Sequence, residues 1–352
     1  MGAAVNGVVD SAADLTAVWL SEALGTPVRS VVTKRIGSGV TGAAYRLVID
    51  SDGGPDSLVA KIAAGDTELR HRVRNGYRAE VGFYIDLADT VEIRTPHCWH
   101  AAIDDDGTSF TLLLEDLAPR SPGVQAAGCS VAQAEDAVRS LARLHAPRWD
   151  DDSVFDLAFL HRPSESGAAF LASMTSSATA GFVERYAPEL DTADVATLHA
   201  AAALMERWQL VGREHFAPIH GDYRLDNLLF PPDGIGVVVV DWQTLTVAPP
   251  ARDLAYFLAT SLDVAHRRAT ERDLVAAYHA ELVARGVEGY TVDRCFDDYR
   301  LGQLQAPMIT TIGCMYATAE RSEAADRMFL AMARRSCTAI RDLDALGAVA
   351  AI

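Results

Sequence analysis

Asp222 and Asn227 are separated by four residues in Ile219-His220-Gly221-Asp222-Tyr223-Arg224-Leu225-Asp226-Asn227-Leu228-Leu229-Phe230, between apolar runs. A carboxylate that accepts or orients a hydroxyl proton, followed by an amide oxygen for magnesium, is the pair that phosphoryl transfer uses. Arg224 lies two residues past Asp222 and suits neutralisation of a migrating phosphoryl group. Asp226 either joins this set or caps the turn. Nineteen residues after Asp222, the run Gly236-Val237-Val238-Val239-Val240-Asp241-Trp242-Gln243 delivers a second carboxylate at the end of a buried strand. Asp241 is placed to chelate magnesium between two phosphates. The turn Phe230-Pro231-Pro232-Asp233-Gly234 folds the two runs into a hairpin.

These groups need a partner that grips the phosphates. Lys61 sits in the apolar strand Val59-Ala60-Lys61-Ile62, and a buried ammonium needs a counter-charge. Glu80, nineteen residues on, is the expected partner; the pair would hold nucleotide phosphates. Glu68 competes, but it opens the helix, where a carboxylate simply favours the dipole. Gly37-Ser38-Gly39-Val40-Thr41-Gly42 is a GxGxxG whose backbone amides can approach phosphate. The alternation of Tyr45, Leu47 and Ile49 that follows is a strand, so the glycines cap a β-hairpin and do not open a dinucleotide-binding helix. A nicotinamide-dependent enzyme is excluded on that ground.

The elements that must position these residues fall into two regions. Residues 31–49 read as strand, Gly-rich turn and strand, and Leu58 to Ala63 as a third strand. Leu69, Val73, Tyr77, Val81 and Tyr84 mark one helix over Glu68 to Ala88. Two strands follow, around His97 to Ile103 and Ser109 to Leu114. After Leu117 the chain turns helical, beginning at Ser130, interrupted by the β segment from Ile219 to Asp241. The expectation is an α+β, bilobal fold: a nucleotide-binding lobe over residues 1–117 with a small five-stranded antiparallel sheet and one helix, and a larger, mainly helical catalytic and acceptor-binding lobe over 118–352.

The chain has 352 residues, a net charge of −17 and 49% hydrophobic residues, enough apolar content for large cores. No basic stripe is present to meet a phosphate backbone, so no nucleic-acid partner is expected. No apolar stretch reaches the roughly 18 residues of a membrane span, and no membrane partner is expected. The five cysteines are odd in number and widely spaced, which fits a reducing, cytoplasmic setting.

The ordered blocks AKIAA, YRAEVGFY, LLLEDL, LARLHAPRW, IHGDYRLDNLLF, VVVVDWQ and ARDLAYFL resemble the aminoglycoside phosphotransferase and choline kinase superfamily, which shares the protein-kinase-like fold. IHGDYRLDN, ARDLAYFL, AAYHAELVARGV and DDYRLGQL are most similar to its bacterial ecdysteroid-kinase-like branch. The resemblance implies ATP and Mg2+ as cofactors, Asp222 as catalytic base, Asn227 and Asp241 as metal ligands, and Lys61 with Glu80 as phosphate clamp. It implies Gly37, Ser38, Gly39 and Gly42 over the nucleotide, and a hinge at Leu113 to Leu117 in which Glu115 and Leu117 pair with adenine. Asp253 would brace the catalytic loop, with His220 and His145 as packing residues. Asp241-Trp242-Gln243 departs from the protein-kinase pattern in lacking its glycine. About ten residues separate Asp241 from Arg252, too few for an activation segment, so no protein substrate is expected.

The expected function is therefore O-phosphorylation of a small hydroxylated molecule. An aminoglycoside would require convergent carboxylates for its ammonium groups. In the acceptor-side regions only Asp150-Asp151-Asp152 and Asp297-Asp298 qualify, and both also read as caps or turns. Those regions hold Phe155, Phe159, Phe170, Met174, Phe182, Tyr186, Met308, Cys314, Met315 and Tyr316, which favours a lipophilic or sterol-like alcohol. The alternatives are an aminoglycoside or amino-alcohol kinase and, in another class, a non-catalytic nucleotide-binding regulator.

Overall fold

Strict alternation shapes the first sheet. In the computed structural model, which describes residues 7–37, 39, 41–212, 214–317 and 321–352, strands β1 (Val28–Ile36), β2 (Gly42–Ser51), β3 (Ser57–Ala63), β4 (Cys98–Ile103) and β5 (Phe110–Glu115) pair antiparallel in the order β1-β2-β3-β5-β4. Leu58, Ala60 and Ile62 alternate along β3 into a core shared with Leu20, Leu47, Ile49 and Leu113. A period of two therefore puts Lys61 on the opposite face. Helix α1 (Ala17–Leu24) supplies Leu20, and α2 (Thr67–Gly82) follows β3 with Asp66 as its N-cap. The expected single helix over Glu68 to Ala88 is interrupted. After Gly82 the chain makes one π-turn, Phe83–Leu87, and then a 3-10 turn, Ala88–Thr90. The wider turn accompanies the burial of Phe83, whose ring stacks on Trp242 at 3.7 Å between centroids.

The chain forms two compact units. The first comprises Met1–Asp89, Thr95–Pro119 and Val240–Thr244; the second comprises Thr90–Arg94, Arg120–Val239 and Leu245–Ile352. Asp241, Trp242 and Gln243 thus pack with the β-rich unit, although the sequence around them is helical-unit sequence. The Phe83–Trp242 stack is the reason: an indole with no exposed surface needs an apolar partner.

The second unit is built on helices α3 (Val131–His145), α4 (Glu165–Arg185), α5 (Thr192–Ala203), α6 (Met205–Leu210), α7 (Ala251–Ser261), α8 (Val264–Ala284), α9 (Val292–Gly302), α10 (Gln305–Ile312), α11 (Glu323–Asp342) and α12 (Ala345–Ala351). Ser130 caps α3 in a capping box with Gln133. Short strands β6 (Ser121–Pro122), β8 (Leu228–Phe230) and β9 (Val238–Val239) form one sheet, and β7 (Ala217–Ile219) pairs with β10 (Thr246–Ala248). All eleven residues of α7 are buried, so this helix is the axis of the unit. Gly302 of α9 touches it: a Cβ there would lie 2.7 Å from the Ala251 carbonyl oxygen and 2.9 Å from Ala255 Cβ. Gly302→Ala is expected to lower stability by about 1–3 kcal/mol, read as an earlier urea midpoint; an unshifted midpoint would refute that contact. Among the described residues, no helix is long and apolar enough to cross a membrane.

Candidate active site

In the first unit, β3 aims Lys61 at two carboxylates. Its Nζ donates to Glu80 Oε1 at 2.6 Å and to Asp241 Oδ1 at 3.0 Å. Glu80, on α2, is almost fully buried, whereas the Asp241 side chain is 46% exposed. Burial disfavours the Lys61 ammonium, but Asp241 and Glu80 outweigh it and raise its pKa above the usual lysine value. Burial also pushes the Glu80 carboxyl upward, while Lys61 and Gln243 pull it back. Gln243 connects two parts of this unit. Its Nε2 donates to Glu80 Oε2 at 3.1 Å, and its Oε1 accepts from Thr41 Oγ1 at 2.9 Å, in the glycine-rich turn. Tyr77 adds a hydrogen bond from its hydroxyl to the Thr41 carbonyl. Asp241 itself has φ +69°, a left-handed conformation that costs a non-glycine residue about 1 kcal/mol and recurs at functional sites.

The glycines and hinge residues fall in the same unit. Gly37 follows β1 with φ +68°, and Gly39 comes after it; Ser38 lies outside the described residues. Gly42 opens β2, and a Cβ on it would meet Lys61 Cε at 3.1 Å, so glycine here leaves the lysine room. Glu115 ends β5, where its backbone N–H donates to the His97 carbonyl at 2.8 Å. Asp116 accepts from Arg46 at 3.1 Å and from the Ala118 backbone N–H, and Leu117 is buried. Glu68 is exposed in the first turn of α2.

In the second unit, Asp222 lies on the loop between β7 and β8. Arg224 Nε donates to its Oδ2 at 3.0 Å and Asn227 Nδ2 to the same oxygen at 3.1 Å, while the Tyr256 hydroxyl donates to Oδ1 at 2.7 Å. Arg224 also donates to Asp226 Oδ2 at 2.7 Å and touches Met328 Sδ at 3.0 Å. Burial opposes the Arg224 charge, but Asp222, Tyr256 and Asp226 together outweigh it and drive its pKa above the usual arginine value. Arg224 is thus a bridge between two carboxylates, and Asp226 is its second anchor. The loop backbone is pinned from outside. Asp253 accepts the His220 N–H at 2.6 Å and the Gly221 N–H at 2.9 Å. Gln305 Nε2 donates to the Gly221 carbonyl at 3.0 Å, and Gln125 Oε1 accepts the Leu225 N–H at 2.8 Å. Gly221 has φ +81°, which glycine adopts without steric cost. His145, fully buried, shares a hydrogen bond with Tyr278 and lies 3.6 Å from Asp253; burial lowers its pKa, as befits a packing residue.

Sequence reading did not single out Tyr256, Gln125, Gln305 or Gln243. Tyr256 had a signal, because it stands three residues after Asp253 on one helix face. The glutamines had none, since each meets the site through tertiary packing.

The description "Ecdysteroid kinase-like family" belongs to the family model that matches residues 77–286, more than half of the chain. The chain belongs to the ecdysteroid kinase-like family. Solved structures agree on the fold. The GDP complex of wild-type aminoglycoside 2'-phosphotransferase-IIIa matches with a TM-score of 0.53 at 14% identity, over 88% of this chain and 94% of that one. A choline kinase from Cryptosporidium parvum Iowa II matches with a TM-score of 0.52 at 10% identity, over 89% of each chain. The α+β fold of this family member is therefore protein-kinase-like. A short stretch also resembles acyl-CoA dehydrogenase family member 11 of Homo sapiens, 50% identical over 40 residues, or 11% of this chain. The chain spans about a twentieth of the length of that curated relative, 5%.

Proposed function

We propose that this family member is an ATP- and Mg2+-dependent O-phosphotransferase for a small hydroxylated molecule, with Lys61 and Glu80 gripping phosphates and Asp222 as base. The observation that carries the reading is the state of Asp222: a partly exposed carboxylate held by three donors while the backbone of the preceding His220 and Gly221 is pinned by Asp253. In this reading the acceptor's hydroxyl oxygen bonds to the γ-phosphorus as the bond to the β–γ bridging oxygen breaks. ADP leaves, and the hydroxyl proton passes to Asp222. Glu115 spends its N–H on His97, so an adenine amine would address its carbonyl, with Leu117 beside it.

Asn227 turns its Nδ2 to Asp222, which presents Oδ1 as the amide's ligand atom, and Asp241 adds a carboxylate; both are hard oxygen donors of the kind Mg2+ takes. Held by such oxygens, Mg2+ would neutralise phosphate charge. Among the described residues no three His, Cys, Asp or Glu side chains converge on a metal-sized site, so phosphate oxygens would supply the remaining ligands. Asp241→Ala is expected to raise the Kd for Mg-ATP about tenfold in calorimetric titration and to flatten its dependence on magnesium; unaltered magnesium dependence would remove Asp241 from the metal site.

The acceptor favoured is a lipophilic or sterol-like alcohol. The carboxylates that would bind a polyamine are already engaged. Asp150 accepts from His215 and from the Phe216 backbone, Asp151 pairs with Arg148, and Asp152 with Arg162. Asp298 is held by Arg294 and Tyr290, and Asp297 lies 3.7 Å from Arg300. Beside Arg224 stands the thioether of Met328, which, like Ile309, packs against the buried cluster that holds Met332. ADP release from Mg-ATP over a panel of sterols, other lipophilic alcohols, choline-like amino alcohols and aminoglycosides tests the reading, with Asp222→Asn as the blank. Turnover confined to the cationic acceptors would overturn the lipophilic preference. Tight ATP binding with no turnover on any acceptor would favour the regulator.

A further inference from the structure

Asp222 is asymmetric. Its Oδ2 accepts from both Arg224 and Asn227, whereas Oδ1 accepts from the Tyr256 hydroxyl. A carboxylate oxygen accommodates two donors, so Oδ2 is filled and Oδ1 keeps room for one more. We infer that Tyr256 is a positioning residue that fixes Asp222 Oδ1 as the atom receiving the acceptor's proton. The inference rests on the phosphotransferase reading above.

Three features suit Tyr256 to this task. Its side chain has no exposed surface and packs with Ala259, Ala306 and Met332, so the core sets the hydroxyl's place. It belongs to α7, the helix that also carries Asp253. One rigid element therefore holds both the backbone of the loop, at His220 and Gly221, and the carboxylate that the loop presents. Finally, the hydroxyl acts as a donor: burial first, and then the Asp222 charge, hold its pKa well above the ordinary tyrosine value. Without this bond the carboxylate pivots about Oδ2, and the lone pair at Oδ1 loses its direction. General-base catalysis depends on that direction.

The test is a double-mutant cycle between Tyr256→Phe and Asp222→Asn, with Mg-ATP and the panel acceptor giving the highest turnover, and water as the acceptor of last resort. Tyr256→Phe keeps the ring and its packing. It is expected to lower kcat about tenfold and to leave KM for Mg-ATP and for the acceptor within about twofold. In the Asp222→Asn background the same change is expected to have no further effect, because it acts only through Asp222. An equal loss in both backgrounds, or wild-type kcat in Tyr256→Phe, would overturn the inference and leave the phosphotransferase reading standing. Full turnover by Asp222→Asn alone would remove that reading itself. A crystal structure of Tyr256→Phe gives an answer independent of turnover: Asp222 in two carboxylate orientations is expected, and one unchanged orientation refutes the inference.

Discussion

Asp222→Ala is expected to lower phosphoryl transfer about a thousandfold while the Kd for Mg-ATP stays within about twofold of wild type. The expectation follows from where the residue's contacts go. Asp222 bonds Arg224, Asn227 and Tyr256, all in the second unit, whereas the lysine proposed to grip phosphates pairs with Glu80 and Asp241 in the first. Removing the carboxylate leaves Arg224 its second anchor, Asp226, so the loop keeps one of its internal ties, and the Asp253 bonds to the backbone are untouched. Single-turnover kinetics with a calorimetric titration of Mg-ATP separates the two quantities. Turnover within tenfold of wild type would show that Asp222 is not the base. A parallel collapse of nucleotide affinity would show that its role is in binding.

The second large effect is on stability. Lys61→Met strands Glu80, a carboxylate with 1% of its side chain exposed, and leaving one member of a buried ion pair alone costs about 3 kcal/mol or more. Adding Glu80→Gln is expected to return over half of that loss, because a neutral amide can keep the contact with Gln243 and carries no charge to desolvate. The sign of the pH dependence follows from the same burial. With Lys61 gone, burial raises the Glu80 pKa above its unfolded value without the opposing ammonium. A group raised in the folded state stabilises at low pH and loses that contribution as pH rises through its folded pKa. The deficit of Lys61→Met relative to wild type should therefore narrow as pH falls, and the Glu80→Gln double variant should lack this narrowing. Urea unfolding of the three proteins at several pH values reads it. Identical midpoints for the single and double variants would show that Glu80 bears no stranded charge.

Much of this arrangement is legible along the chain. The alternation of Leu58, Ala60 and Ile62 sets Lys61 on the far face of β3, and the helical spacing through Tyr77 and Val81 places Glu80 on α2, where the two side chains meet. The hairpin that joins Leu228–Phe230 to Val238–Val239 is equally plain in Pro231-Pro232-Asp233-Gly234. The remainder is not local. Asp241 reaches Lys61 across 180 residues and Gln243 reaches Thr41 across 202, distances at which periodicity carries no information. The π-turn after Gly82 accompanies the stack of Phe83 on Trp242, so residues 68–88 alone read as an unbroken helix. Tyr256 is concealed differently: in a helix buried on every side, a tyrosine reads as core, and it is core, except for one oxygen.

The short insert Val240–Thr244 also sets a schedule for synthesis. Ribosomes deliver the N-terminus first, at roughly 5–20 residues per second. Between Pro119 and Val240 lie 239 − 119 = 120 residues, so the β-rich unit waits roughly 6–24 s for its last piece. During that interval Phe83 has no indole to stack against and Lys61 has one carboxylate, not two. A nascent chain paused in this window carries an unfinished apolar face.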